Sequence, residues 1–370
     1  MSLAKKLGFL MAFMLPAIIV FGYYMGGAWN FSNLIFAYVL VPIIDELVGK
    51  DPMNIKKEDL PVLSGQIYFE AILHVMVYVH LAILIWGFYV ISSGTMTWLE
   101  MIGFTLSVMV LSSGMINVAH ELGHKQHKFA QFQSQLTLMT VCYMHFFIEH
   151  NKGHHVNVAT PKDPATSKKN QTFYSFWTQS VIGSWKDAWK IEKRRLTRRN
   201  LSIWSFHNQM LWYALLPIAF VSSLTLILAF LGQAQFLAIP IFFFAQSFLA
   251  FSSLEAVNYV EHYGLLRKEV KPGHYERVNP LHSWNSNHMV SNFLLFQLQR
   301  HSDHHAFAVR PYQVLRHFDE SPQLPAGYPV MILMSLVPPL WFKKMNKRLE
   351  DWQAKSYDAN YIANVVKMVG

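Results

Sequence analysis

Cys142 is the only cysteine among 370 residues. An internal disulfide, a cysteine-ligated iron–sulfur cluster and a thiolate-rich zinc site are therefore excluded. The Gly-x-Gly-x-x-Gly pattern of nicotinamide and flavin domains does not occur, so redox equivalents, if needed, must come from another molecule. Charged side chains are scarce at 14%, whereas 52% of residues are hydrophobic and 15% aromatic, with mean hydropathy +0.21. Such a chain is too apolar for a soluble enzyme and too polar to lie wholly in lipid, which leaves a membrane protein with a large polar face.

A helix needs about 20 apolar residues to cross a bilayer core. Segments of that kind occur at 8–28, 30–48, 67–91, 97–119, 209–231 and 236–257. The fold expected is all-α, with six transmembrane helices and a histidine-rich cap. The first apolar stretch is long enough to span, and no small-residue cleavage pattern follows it, so it reads as a helix and not a signal peptide. A seventh candidate, 136–148, is short, and crossing there would put the flanking histidines on opposite sides of the membrane. It is expected to be one helix buried against the bundle.

The loops 26–30, 92–96 and 232–235 carry no Lys or Arg, and all 31 basic residues lie outside them and outside the spans, so both termini and the cap are expected on the cytoplasmic side. Residues 1–370 read as one membrane-embedded catalytic domain whose cap comprises 120–208 and 258–370.

Nine of the 18 histidines fall in four clusters: His120 and His124 in HELGH; His150, His154 and His155 in EHNKGHH; His262 in NYVEHYG; and His301, His304 and His305 in LQRHSDHH. Imidazole is the commonest metal ligand, and nine exceed what one ion can use, so two metals are expected. His120 with His124, His150 with His154, and His301 with His304 and His305 are spaced to share helix faces. Ligating imidazoles usually donate their second N–H to an acceptor. Glu121, Glu149, Asp163, Asn258, Glu261 and Asp303 are the candidates for that part, each acid more plausibly serving a histidine of another cluster than its own neighbour. His74 and His80, inside the third span, read as interhelical hydrogen-bonding groups. His127, His207, His274 and His317 read as surface groups, and His145, His282 and His288 as packing or supporting ones.

HELGH alone also matches the HExxH of zinc proteases. A zinc protease would leave the other clusters unexplained, and a metal transporter would want ligands along the spans instead of at one end.

The strings HELGHK, EHNKGHH, ATPKDPATS, NYVEHYGLLR, HSWNSNH and LQRHSDHHA resemble the motif set of the integral-membrane alkane 1-monooxygenases, relatives of xylene monooxygenase and, more distantly, of membrane fatty acid desaturases. The resemblance runs from about residue 60 to 345. It implies a non-haem di-iron site on the nine clustered histidines in a bacterial cytoplasmic membrane. It further implies O2-dependent terminal hydroxylation of medium-chain n-alkanes, with electrons from rubredoxin that an NAD(P)H-dependent reductase keeps reduced. A related desaturase or epoxidase would share the clusters; terminal alcohol formed from octane separates the two.

A terminal methyl group has no acidity, leaving group or polar handle, so metal-activated oxygen is the remaining route. An alkane can be held only by dispersion and exclusion from water, so a narrow apolar tube is expected beneath the irons. It should be lined by the fourth and sixth spans and by Phe and Leu of the first three. The basic stretches 168–170 and 190–199 suit anionic lipid or an acidic electron donor. Nucleic-acid binding is not expected, because the inside rule already accounts for the positive charge.

Overall fold

A computed structural model describes residues 1–369. Six of its helices are long and apolar enough to cross a membrane: Leu3–Met25, Gly27–Val48, Ile67–Ser92, Trp98–Gly123, Gln209–Phe230 and Ala238–His262. The fourth is the central one, with 67% of its apolar window buried, and it packs most extensively on the sixth. The fifth, 17% buried, lies at the edge. Side chains such as Leu226, Phe230 and Ile241 face outward from these helices, as lipid-exposed residues do.

The fourth and sixth helices run four and five residues beyond their expected ends, and the added turns carry His120 and His262. Hydropathy alone stops short there because those turns are polar. The far end of the fourth span begins with a capping box, in which Thr97 accepts from the Glu100 amide while Glu100 accepts from the Thr97 amide. Glu100 also accepts from the Gly27 amide at 2.6 Å, tying the loop between the first two spans to the start of the fourth.

The segment 136–148 departs from expectation. It does not cross, but neither is it one helix: Lys128–Met139 ends near Thr140, a turn follows, and a short helix Phe146–Glu149 restarts the chain toward the cap. Cys142 sits in that turn with φ 54°, a left-handed conformation that no helix continues through.

The cap has its own aromatic core, in which Tyr259 and Tyr263 from the end of the sixth span meet Trp284, Tyr328 and Trp341. It is fastened to the second span by Asp45, whose carboxylate accepts from the Val290 and Ser291 amides at 2.8 and 3.1 Å. The long helix Phe173–Thr197 lies against the sixth span, and Trp177 Nε1 donates to Ser252 Oγ at 3.0 Å. A two-stranded hairpin, Glu269–Lys271 with His274–Tyr275, is the only sheet among the described residues.

Candidate metal centre

All nine clustered histidines converge where the fourth and sixth spans meet the cap. They form two groups: His120, His124, His150, His155 and His304 in one, and His154, His262, His301 and His305 in the other, with the donor atoms of each group within 4.8 Å of one another. In the first group the Nε2–Nε2 separations are 2.9 Å for His120–His304, 3.2 Å for His120–His124, 3.0 Å for His150–His155 and 3.2 Å for His155–His304. In the second they are 2.8 Å for His301–His305, 3.2 Å for His154–His305 and 3.4 Å for His262–His301.

These spacings test whether metal ions fit. Nitrogens about 2.1 Å from one ion lie about 3.0 Å apart at right angles and about 3.4 Å apart at the tetrahedral angle. The neighbouring separations, 2.8–3.4 Å, lie close to those values, so each group is spaced to hold a nitrogen-ligated ion.

The backbone explains the division. Residues His150–His154 form a wide turn of the i→i+5 type. The extra residue brings His155, not His154, alongside His150 and sends His154 to the other group, correcting the expected i, i+4 pairing. Gly153 gives the Glu149 side chain room in that turn, because a Cβ there would lie 2.8 Å from Glu149 Oε1 and the carboxylate would have to shift. In His301–Ala306 the helix is regular, so His301 pairs with His305 while His304 points to the first group.

Burial first, and the charge of neighbouring histidines second, push His150, His155, His301, His304 and His305 well below the ordinary histidine value. Burial, with a contribution from Lys125, takes His124 down to about 4. All six are thereby kept as neutral rings, the form that binds metal.

Of the six supporting candidates, two touch a clustered histidine's ring nitrogens. Asp163 Oδ2 accepts from His154 Nδ1 at 2.9 Å and from Thr166 at 2.6 Å. Burial works against the ionised Asp163, yet His154 and Thr166 hold it below the usual carboxylate range. Glu261 Oε2 lies 3.1 Å from His301 Nε2, and its other oxygen accepts from the Tyr328 hydroxyl at 2.7 Å. Asp163 thus takes the second ring nitrogen of His154, the part expected of a supporting acceptor, whereas Glu261 reaches across from its own cluster to His301 Nε2, the nitrogen that faces the other rings.

Three of the other four candidates are engaged elsewhere. Asp303 is gripped by Arg316, whose Nε and Nη2 lie 3.0 and 2.7 Å from Oδ1, and by Arg310. Glu121 pairs with Lys125 and accepts from the Tyr312 amide. Asn258 donates to Glu255, which accepts from the Tyr143 hydroxyl. Glu149 is buried, and its Oε1 has no hydrogen-bond partner.

Among the remaining histidines, His80 hydrogen-bonds Ser112 on the next span at 3.2 Å, as expected. His317 is not a surface group: it is buried between Asn287 and Asp319 at 2.6 and 2.9 Å. His145 packs edge-on against Tyr143 and Trp185.

A cavity ends at His120, His150 and His301. Leu15, Val41, Val110 and Leu254 represent the first, second, fourth and sixth spans in its wall, and Tyr328 and Ile332 come from the cap helix Tyr328–Ser335. The third span, expected to contribute, does not line it. That cap helix takes the place instead, a role no sequence motif signalled. The walls are apolar apart from a few groups, including Ser113, Asn117, Asn258 and Glu261.

The fatty acid desaturase family model matches residues 96–335. Alkane 1-monooxygenase of Pseudomonas putida is 39% identical over 354 residues, covering 94% of this chain and 86% of its own length. Alkane 1-monooxygenase 2 of Alcanivorax borkumensis is 38% identical over 364 residues, covering 96% and 93%. The hydroxylase component of the Pseudomonas putida xylene/toluene monooxygenase is more distant, 29% identical over 339 residues, 90% of this chain and 86% of its own. With the whole histidine-bearing region matched, the chain belongs to the fatty acid desaturase family and, within it, to the alkane 1-monooxygenases.

Proposed function

We propose that the protein hydroxylates the terminal carbon of medium-chain n-alkanes with O2 at a di-iron site. Electrons would come from rubredoxin kept reduced by an NAD(P)H-dependent rubredoxin reductase. It would do so as a single catalytic unit of a bacterial cytoplasmic membrane, with the cap and both termini on the cytoplasmic side. The observation that carries this reading is the meeting of an apolar cavity with two groups of convergent imidazole nitrogens.

His120, His124, His150, His155 and His304 would hold one iron and His154, His262, His301 and His305 the other. The irons supply the oxygen chemistry that an unactivated methyl group requires. Imidazole ligation suits iron, and Asp163 fixes the His154 ring with its Nε2 aimed inward.

The chain's own side chains do the binding and positioning. Leu15, Val110 and Leu254 can take an alkane only by dispersion and dehydration, at about 0.8 kcal/mol per buried methylene. Phe146 stacks on the His150 ring at 4.6 Å and lines the inner end, so water is excluded beside that ligand. Only a chain end would then reach the metals.

Lys152, Arg194, Arg195, Arg198 and Arg199 line one surface depression beside the helix Phe173–Thr197. A cluster of this sign would steer an acidic electron carrier, and it would also suit the anionic leaflet. Turnover that falls steeply with salt, at constant membrane association, marks the docking role.

The test is reconstitution in lipid vesicles with rubredoxin, its reductase, NADH, octane and 18O2. The expected product is 1-octanol carrying one labelled oxygen, with two irons per chain. Active protein holding stoichiometric zinc, or label-free alcohol, overturns the reading.

A further inference from the structure

A third group of potential ligands lies apart from the nine histidines. Glu70 and His74 sit one turn apart at the cap end of the third span, and His127 closes on them from the turn that follows the fourth. Their donor atoms lie within 4.8 Å of one another, with His127 Nε2 2.6 Å and His74 Nε2 3.3 Å from the same oxygen, Glu70 Oε1.

The His74 ring is held for ligation. Its Nδ1 meets the buried Gln133 amide oxygen, which calls for a proton on Nδ1 and leaves Nε2, on the Glu70 side, free to bind a metal. The Phe129 ring packs 5.2 Å away and limits its rotation. The site is open to water, since the side chains of Glu70, His74 and His127 are 35%, 21% and 47% exposed. The nearby Lys125 ammonium is engaged by Glu121, 3.3 Å away.

His127 at present accepts a long 3.3 Å bond from the Ala130 amide through Nδ1. Ligation through Nε2 moves the ring proton to Nδ1, so that helix-cap bond is given up and water takes its place.

We propose that Glu70, His74 and His127 form a third metal site, taking a divalent first-row ion of the zinc type with water completing its coordination. Two imidazoles and one carboxylate are a donor set such ions accept. Because His127 follows His124 by three residues, the ion would fasten the third span to the turn that bears a ligand of the first histidine group. The site would therefore stabilise that end of the bundle.

The experiment titrates Zn2+ into the iron-loaded, detergent-purified protein while bound zinc and retained iron are both counted. Expected is one zinc per chain taken up with no iron lost, and a rise in melting temperature. His127→Ala and Glu70→Gln should each weaken that uptake at least about tenfold and abolish the rise. Co2+ in place of Zn2+ should give a visible spectrum that both variants lose. Equal uptake by wild type and both variants overturns the site, as does zinc entering only as iron leaves. His127→Ala keeps the test independent of folding, because that side chain is half exposed and outside the spans.

Discussion

The Glu261 carboxylate joins Tyr328 to His301: one oxygen accepts the Tyr328 hydroxyl at 2.7 Å and the other lies 3.1 Å from His301 Nε2. That nitrogen also faces His262 and His305, so the Glu261 oxygen stands among the donor atoms of the second histidine group. Tyr328 thus sets the direction of a carboxylate beside the second histidine group.

Tyr328→Phe removes the hydroxyl and leaves the ring in the cap core. A hydrogen bond contributes about 0.5–1.5 kcal/mol, and the variant should lose stability of that order in denaturant unfolding. Iron affinity should fall by about 10–100-fold, the usual cost of losing a supporting partner. Unchanged release of iron to a chelator would show that Glu261 needs no such guide.

Asp163 offers a more selective perturbation, since it serves His154 and, through it, the second group alone. Asp163→Asn keeps the shape and removes the charge. One iron should then leave to a chelator about 10–100-fold more readily while the other stays, giving release in two phases. A single phase for both irons would mean that the groups are held as one unit.

Stability should depend on pH in a defined sense. The unfolded chain protonates its histidines as pH falls through about 6.5. Burial keeps the folded His124 neutral down to about 4, and His150, His155, His301, His304 and His305 are likewise lowered. Between those limits the unfolded state binds more protons, so stability declines with acidification, by about 1.4 kcal/mol per pH unit for each proton of difference. The melting temperature of metal-free protein should be level above pH 7 and drop steadily from about pH 6.5 to 4. A flat profile across that range would contradict neutral, buried rings.

What could be read from the chain follows from what is local. Apolar runs announce the six spans, but the turns bearing His120 and His262 are polar, so their helical continuation escapes hydropathy. The four clusters name the histidines that converge, whereas their sorting depends on one wide turn at His150–His154, for which Gly153 is the only hint. Asp303 adjoins a clustered histidine in sequence yet spends its charge on Arg316 and Arg310, a pairing between segments that adjacency cannot reveal. Tyr328 is the converse case, silent in spacing and placed at the site only by the folding of the cap.

Gly114 gives direct access to substrate length. It lines the cavity from the fourth span, and a Cβ built there meets nothing closer than Leu15 Cδ1 at 3.8 Å. Gly114→Leu can therefore enter without displacing backbone, and glycine is poor inside a helix, so the helix should not suffer. The new side chain would occupy part of the tube and block the path of long chains toward His120 and His150. Activity on the longest accepted alkanes should fall at least tenfold while that on shorter ones persists, measured as terminal alcohol across a chain-length series. An unaltered product profile, with the variant folded and iron-loaded, would place the alkane path outside this cavity.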